Sequence, residues 1–284
     1  MENELGNLEI AADEPQTGEP AEPLPIESIA PVDEPKVEWP LVSCIMPTAG
    51  RAAYIEQSID MFMQQDYPNK ELIIVFNKLS DIPYIYYPPE VKLVMVPTQI
   101  IGAKRNEAVR HAAGAIIAQW DDDDLYNTHR LSDQALPILQ GIAEITGLQN
   151  FVCYEAPTGN SYKADEMLFA AIYGGVHGGT LVYNRYVWEK LCYYPNYKCG
   201  EDAGFLRNAQ KLGARLVPVD GADSFVYVRH QSNTWKFEPN NFRNYPGWLT
   251  AALPHWAEPY AMLSRSVALS NKDNYVARSK AMAR

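Results

Sequence analysis

The run Ala115-Ile116-Ile117-Ala118-Gln119-Trp120-Asp121-Asp122-Asp123-Asp124-Leu125-Tyr126 decides how the chain is read. Its first half is short, apolar and preceded by Gly114, the pattern of a strand buried in a parallel sheet. Its second half sets four carboxylates side by side where that strand ends. Like charges repel and each is costly to take out of water, so the run asks for a partner. A divalent cation is one answer. Open α/β sheets gather ligands at the carboxyl ends of strands, and Mg2+ or Mn2+ takes one or two carboxylates, with water and phosphate filling the remaining positions. The other answer is a solvated acidic turn that caps the next helix, since Asp favours N-caps and turns.

Upstream, Leu41-Val42-Ser43-Cys44-Ile45-Met46 reads as a first strand, stopped by Pro47-Thr48-Ala49-Gly50-Arg51. Ile55, Ile59 and Phe62 then share one helical face, and Glu71 to Phe76 forms a second strand. That β-α-β unit predicts a parallel pair with a right-handed crossover. The turn lacks G-x-G-x-x-G, which disfavours a dehydrogenase-type dinucleotide fold. Thr48 and Arg51 are either nucleotide contacts or plain turn chemistry. Val91 to Val96 is a short strand. Gly102-Ala103-Lys104-Arg105-Asn106 opens a helix that runs to Ala113. Two cations at a helix start oppose the macrodipole, which points to a nearby anion or to a solvated basic turn.

Downstream of the four Asp, Asn127 or Thr128 is expected to cap a helix bearing Leu131, Ala135 and Ile138, bent by Pro137 and ended by Gly141. Residues 147 to 183 read as strands and loops. Within them Gly174-Gly175-Val176-His177-Gly178-Gly179-Thr180 would let a backbone approach a ligand closely, or simply turn. A helix from Arg185 to Leu191 follows. Gly200-Glu201-Asp202 starts another, with Phe205, Ala209 and Leu212 on its apolar face; taken alone, its acids are ordinary dipole partners. Leu216 to Val219 and Ser224 to Arg229 are strands, the first at an edge because of Pro218. His230, at the end of the second, is a packed residue or, beside a metal, a ligand.

The 284 residues allow one large domain or two small ones, and the net charge of −11 is unevenly placed. Residues 1–38 hold eleven acids against one Lys, so the remainder is nearly neutral and offers no broad basic footprint for nucleic acid. That Pro- and Glu-rich tail is expected to be disordered. Residues 236–284 form an irregular to helical extension, aromatic at first and basic at the end, where a surface contact is expected. Cys44, Cys153, Cys192 and Cys199 lack CxxC spacing and read as reduced thiols. With no signal segment and no membrane span in sight, a soluble, cytoplasmic protein is expected.

Val42 to Arg51, Gln65 to Val75, Gly102 to Asn106, Asp121 to Asp124 and Gly200 to Asp202, in this order and spacing, resemble the family 2 glycosyltransferases of GT-A fold over residues 41 to about 235. The resemblance implies an α/β fold with a mostly parallel central sheet flanked by helices. It also implies a nucleotide-sugar donor, Mn2+ or Mg2+, and transfer with inversion. On it, Asp121 and Asp123 match the Asp-x-Asp that holds metal and donor, and His230 the histidine some members present to the metal. Asp202 matches the general base of the Glu201-Asp202 pair. Pro47, Thr48, Arg51, Lys104, Arg105, Asn106, Asp122 and Gly179 fall to the donor. The second strand ends in Phe76-Asn77-Lys78 where the family usually has Asp-Asp, so Asn77 becomes the candidate base contact and UDP the first choice of nucleotide. The Gln-x-x-Arg-Trp signature of processive synthases is missing, which favours single addition. The acceptor is left open among a glycan, a lipid carrier, a protein and a modified nucleobase. A nucleotidyltransferase and a non-catalytic binding module on the same fold are the alternatives.

Overall fold

The computed structural model describes residues 39–235 and 247–282; the expected disorder of residues 1–38 lies outside the described residues. β1 (Val42–Pro47) and β2 (Lys70–Phe76) pair in parallel around α1 (Ala52–Met63), as the β-α-β pattern predicts. β3 (Val91–Met95) joins the outer side of β2, and α2 (Ile101–His111) leads to β4 (Ile116–Gln119), which pairs with β1 on its other side. The order β4-β1-β2-β3 therefore reverses direction at β1. The turn after β1 and the Asp run after β4 lie side by side at this switch point, where α/β sheets form their ligand crevice.

Three further strands extend the sheet to seven: β6 (Ile145–Gln149), β9 (Val182–Asn184) and β10 (Leu216–Asp220), with β10 at the edge. Only β9 runs antiparallel to its neighbours in this sheet. The continuous apolar runs of β1 and β2 are explained by burial on both faces. Cys44, Met46 and Ile74 face α1 with Ile55 and Phe62, while Ile45, Ile73 and Val75 pack with Val109 of α2 and Phe205. A second, five-stranded sheet contains β5 (Leu125–Tyr126), β7 (Val152–Glu155), β8 (Asn160–Ala164), β11 (Phe225–Arg229) and β12 (Trp248–Thr250). Because β4 belongs to one sheet and β5 to the other, the four Asp form the hinge between them.

Several local expectations are corrected. The helix after the Asp run, α3 (Arg130–Leu139), starts from His129 without a side-chain cap; Asn127 instead accepts the Thr128 N–H and closes a turn ahead of it. Residues 147–183 contain a helix, α4 (Glu166–Tyr173), capped by Asp165, whose carboxylate accepts the Leu168 N–H at 2.8 Å. The helix expected from Arg185 to Leu191 is found, wound as a π-helix over Val187–Leu191. The helix at Gly200 is found as α5 (Glu201–Lys211). α6 (Glu258–Met282) lays Ala261, Ser264 and Ala268, all buried, near α1, and its Tyr260 hydroxyl donates to Asp60 at 3.1 Å. Small side chains at this spacing let the helices approach closely. Among the described residues no helix is long and apolar enough to cross a membrane, and all four cysteines are free thiols.

Arg130 ties this architecture together beneath the Asp run. It is fully buried, donates from Nη2 to Gln119 O at 2.7 Å and Thr180 O at 3.2 Å, and lies over the rings of Trp120 and Tyr126. Arg130→Ala strands the buried Gln119 carbonyl, takes one of two donors from Thr180 O and opens a cavity, so it is expected to lower unfolding free energy by about 3 kcal/mol. Urea denaturation followed by circular dichroism reads this directly; a loss below about 1 kcal/mol would mean that water replaces the guanidinium.

Candidate active site

Two close backbone approaches bring the charged side chains together. A Cβ on Gly102 would fall 1.9 Å from Pro195 O, so only glycine lets the start of α2 meet the segment that leads into α5. Gly200, at φ +75°, then turns that segment into α5 and places Glu201 and Asp202 in its first turn. From α2, Arg105 reaches in both directions. Its Nε donates to Glu201 Oε1 and its Nη2 to Asp121 Oδ1, each at 2.9 Å.

The other three aspartates are buried, and each has its own partner. Asp122 accepts the Thr48 hydroxyl at 2.5 Å and lies 2.9 Å from Arg51 Nη2. Asp123 pairs with Arg51 Nη1 and with His230 Nε2, the latter at 3.0 Å, and accepts from Asn233 Nδ2 at 3.1 Å. Asp124 accepts the Val228 N–H at 2.9 Å, a strand-to-strand link into β11. These neighbours divide the charge unevenly. Burial opposes ionisation of Asp123, yet Arg51 and His230 outweigh it and hold that carboxyl well below the usual range. Burial pushes Asp122 up to about 7 against the pull of Arg51, and raises Asp121 and Asp124 as well, with the neighbouring Asp123 adding to the effect. One aspartate of the four is thus held firmly negative.

A cavity of about 490 Å³ opens over this network. Thr48, Arg51, Lys104, Arg105, Asp121, Asp123, Asp124, Glu201 and Asp202 all reach its wall. Gly178 and Gly179 frame it from behind: a Cβ on Gly178 would meet Asp202 Oδ2 at 2.6 Å, and one on Gly179 would meet Asp121 Oδ2 at 2.8 Å. The glycine-rich stretch is therefore shaped to carboxylates of the protein itself. Burial, aided by Glu201 and opposed by Arg105, pushes Asp202 up to about 6. Burial also pulls His177 down to about 3, so its imidazole is neutral where it packs 4.4 Å from the Tyr227 ring.

The expected site residues separate into two groups. Pro47, Thr48, Arg51, Lys104, Arg105, Asp121, Asp123, Glu201 and Asp202 line the cavity. Asp122, Gly179 and His230 stand just behind it, each against one of the lining groups. Two further expected residues do not reach the cavity wall. Asn77 donates its amide nitrogen to Val96 O and Thr98 O, and so fastens a loop, while its Oδ1 is buried without a hydrogen-bond partner. Asn106 donates to Tyr194 O and accepts from Trp188 Nε1 and the Tyr194 N–H, and so builds the wall under α2. Sequence reading missed Asn233, which holds both Asp123 and Val228 O, and Asp81, which accepts the N–H groups of Gly50, Asn77 and Lys78. The signal for Asn233 lay three residues beyond His230, in Arg229-His230-Gln231-Ser232-Asn233.

Among the described residues no three His, Cys, Asp or Glu converge to hold a metal by themselves. A hard divalent cation that takes most of its oxygens from water and phosphate needs fewer. Asp124 Oδ2, buried and without a hydrogen-bond partner in a carboxylate that reaches the cavity wall, fits such an ion, as do Asp121 and Asp123 beside it. Arg105 Nη1, buried and also without a partner, fits an anion.

Comparison with known proteins agrees with this geometry. Residues 43–176 match the family model of glycosyl transferase family 2. Over 204 residues the chain is 33% identical to an uncharacterized glycosyltransferase of Haemophilus influenzae, covering 68% of this chain and 81% of that protein. Over 239 residues it is 24% identical to the amylovoran biosynthesis glycosyltransferase AmsB of Erwinia amylovora, covering 75% and 78%. Mannosyltransferase PcManGT of Pyrobaculum calidifontis, solved with GDP-Man and Mn2+, superposes with TM-score 0.52 at 18% identity over 87% of this chain and 81% of that one. S. aureus TarS 1-349, solved with UDP-GlcNAc, gives 0.54 at 18% identity over 72% of this chain, which spans 63% of the TarS chain. The fold is that of a GT-A glycosyltransferase. The chain belongs to glycosyl transferase family 2 and is a sugar-transferring enzyme.

The glycine contacts give a test of the site that leaves the charges in place. Gly178→Ala forces the Asp202 carboxylate aside, and a misplacement of about 1 Å is expected to cost roughly 10²-fold in turnover while the melting temperature hardly moves. Turnover within about threefold of wild type would show that Asp202 accommodates the methyl group without leaving its working position.

Proposed function

We propose that the protein is a metal-dependent, inverting glycosyltransferase that moves one sugar from a UDP-sugar to an acceptor hydroxyl by direct displacement. The observation that carries this reading is that Asp121, Asp123 and Asp202 face one cavity. The carboxylates suited to a donor's cation and the one suited to an acceptor's proton are within reach of a single substrate pair.

In this reading Asp121 and Asp123, with Asp124 and His230 behind them, hold Mn2+ or Mg2+. When bound, the ion neutralises charge on the departing nucleoside diphosphate. Arg105 and Lys104 add positive charge on the same side, and burial pulls Lys104 down to about 8, so its ammonium form prevails near neutral pH. Thr48 and Pro47, in the turn after β1, border the nucleotide. With Asn77 off the cavity wall, Gln99 on that wall becomes the side chain available to the base. Asp202 takes the proton from the acceptor hydroxyl as that oxygen attacks, a role worth about 10²- to 10⁴-fold. Glu201, fixed on Arg105, positions the pair. The acceptor enters from the side of Tyr227, Trp235 and Ile172, and the enzyme works in the cytoplasm, where its donor is available.

Purified protein is mixed with UDP- and GDP-sugars, with and without Mn2+, and nucleotide release is measured. Release of UDP that requires the metal, with a loss of 10²-fold or more in Asp202→Asn, is expected. Pyrophosphate release in place of a nucleoside diphosphate would mean nucleotidyl transfer, and release that is indifferent to chelation would remove the metal from the scheme.

The pH profile follows from the Asp202 carboxyl at about 6. A base must be ionised to act, so kcat/KM is expected to fall as pH drops through about 6 and to level off above it. A rate that stays flat down to about pH 4.5 would assign the base to a group with an ordinary carboxyl pKa.

A further inference from the structure

Arg51 combines two features that the scheme above does not use. It neutralises two buried aspartates at once, contacting Asp122 through Nη2 and Asp123 through Nη1. Its hold is nonetheless incomplete: its side chain is 14% exposed and borders the cavity, and its Nε is buried without a hydrogen-bond partner. The carboxylates, in contrast, are held from behind. Besides Arg51, Asp122 has the Thr48 hydroxyl, and Asp123 has His230 and Asn233. Tyr54 stacks on His230 at 4.8 Å and keeps that ring in place.

We propose that Arg51 is an exchangeable counter-cation. In the donor-free enzyme it occupies the Asp122–Asp123 pair and so keeps buried carboxylate charge from standing alone. When a cation and the donor's diphosphate arrive, the guanidinium gives up Asp123 and turns to a diphosphate oxygen, a partner its planar fork suits as well as a carboxylate. No covalent bond changes; one ion pair replaces another. Arg51 therefore competes with a divalent cation when no donor is present, and assists the donor once the cation is in. This rests on the metal-dependent reading above.

The exchange predicts two effects of opposite sign in one variant. Arg51→Gln is expected to bind Mn2+ alone about tenfold more tightly than wild type, and UDP in the presence of Mn2+ about tenfold more weakly, both inside the ~5- to 150-fold range usual for coupled sites. Full-length protein is titrated with Mn2+, the free ion being followed by electron paramagnetic resonance, with and without UDP. Arg51→Lys keeps the charge but not the fork and is expected to fall between the two. A residue that merely packs the site would weaken both affinities together. If Arg51→Gln, with a wild-type circular dichroism spectrum, binds Mn2+ alone no better than the parent, the exchange is overturned while the enzyme's metal dependence stands. If wild type binds no Mn2+ even with UDP, both readings fall.

Discussion

Four adjacent carboxylates cannot share a buried strand end unless positive charge comes to them. That constraint organises the molecule. Asp121 draws Arg105 from α2, Asp122 and Asp123 draw Arg51 from the turn after β1, and Asp123 draws His230 from the end of β11. Three segments far apart in the chain are thereby aimed at one point. The sheet order makes this possible, because β1 lies between β2 and β4 and its turn opens beside the end of β4. Exchanging β1 and β2 in that order would leave Arg51 a strand's width from its partners.

Such a network is a poor source of stability. Buried ion pairs give back in attraction about what they cost in desolvation, and apolar replacements of similar volume are often neutral or better. The fold is held elsewhere, by the two apolar layers on either side of the central sheet and by Arg130 under the Asp run. The partnerless atoms Asp124 Oδ2 and Arg105 Nη1 are further cost with no structural return. A site that spends folding free energy on one acceptor and one donor, each in a residue that lines the cavity, suits a ligand that carries both charges. A metal-bound diphosphate is such an object.

How much of this was legible in the sequence depends on what each residue could do instead. The runs at Val42, Glu71 and Ile116 had no alternative to burial on both faces, and all became central strands. Asp121 to Asp124 could not pack as apolar residues, and their place at a strand end followed. Asn77 and Asn106 were less readable, because an amide bonds backbone groups as readily as a ligand, and both chose backbone. The helix Glu166–Tyr173 was missed because Met167-Leu168-Phe169-Ala170-Ala171-Ile172 has no polar face to reveal a period. Arg130 looked like any helix-start residue. Nothing local shows that Gln119 O and Thr180 O converge above it, for Thr180 lies 50 residues further along the chain than Arg130.

Arg105 links the two ends of the reaction. Its single charge is divided between Asp121, on the donor side, and Glu201, the neighbour of the base, at 2.9 Å from each. Any change of charge at Asp121 is therefore felt at Asp202. A cation drawn to Asp121 alone would lower the Asp202 carboxyl by direct attraction, and a diphosphate alone would raise it by repulsion. Arriving together, the two would oppose each other at Asp202, whose carboxyl stands at about 6 in the donor-free enzyme. One guanidinium shared between Asp121 and Glu201 thus joins the charge at the end of β4 to the charge in the first turn of α5.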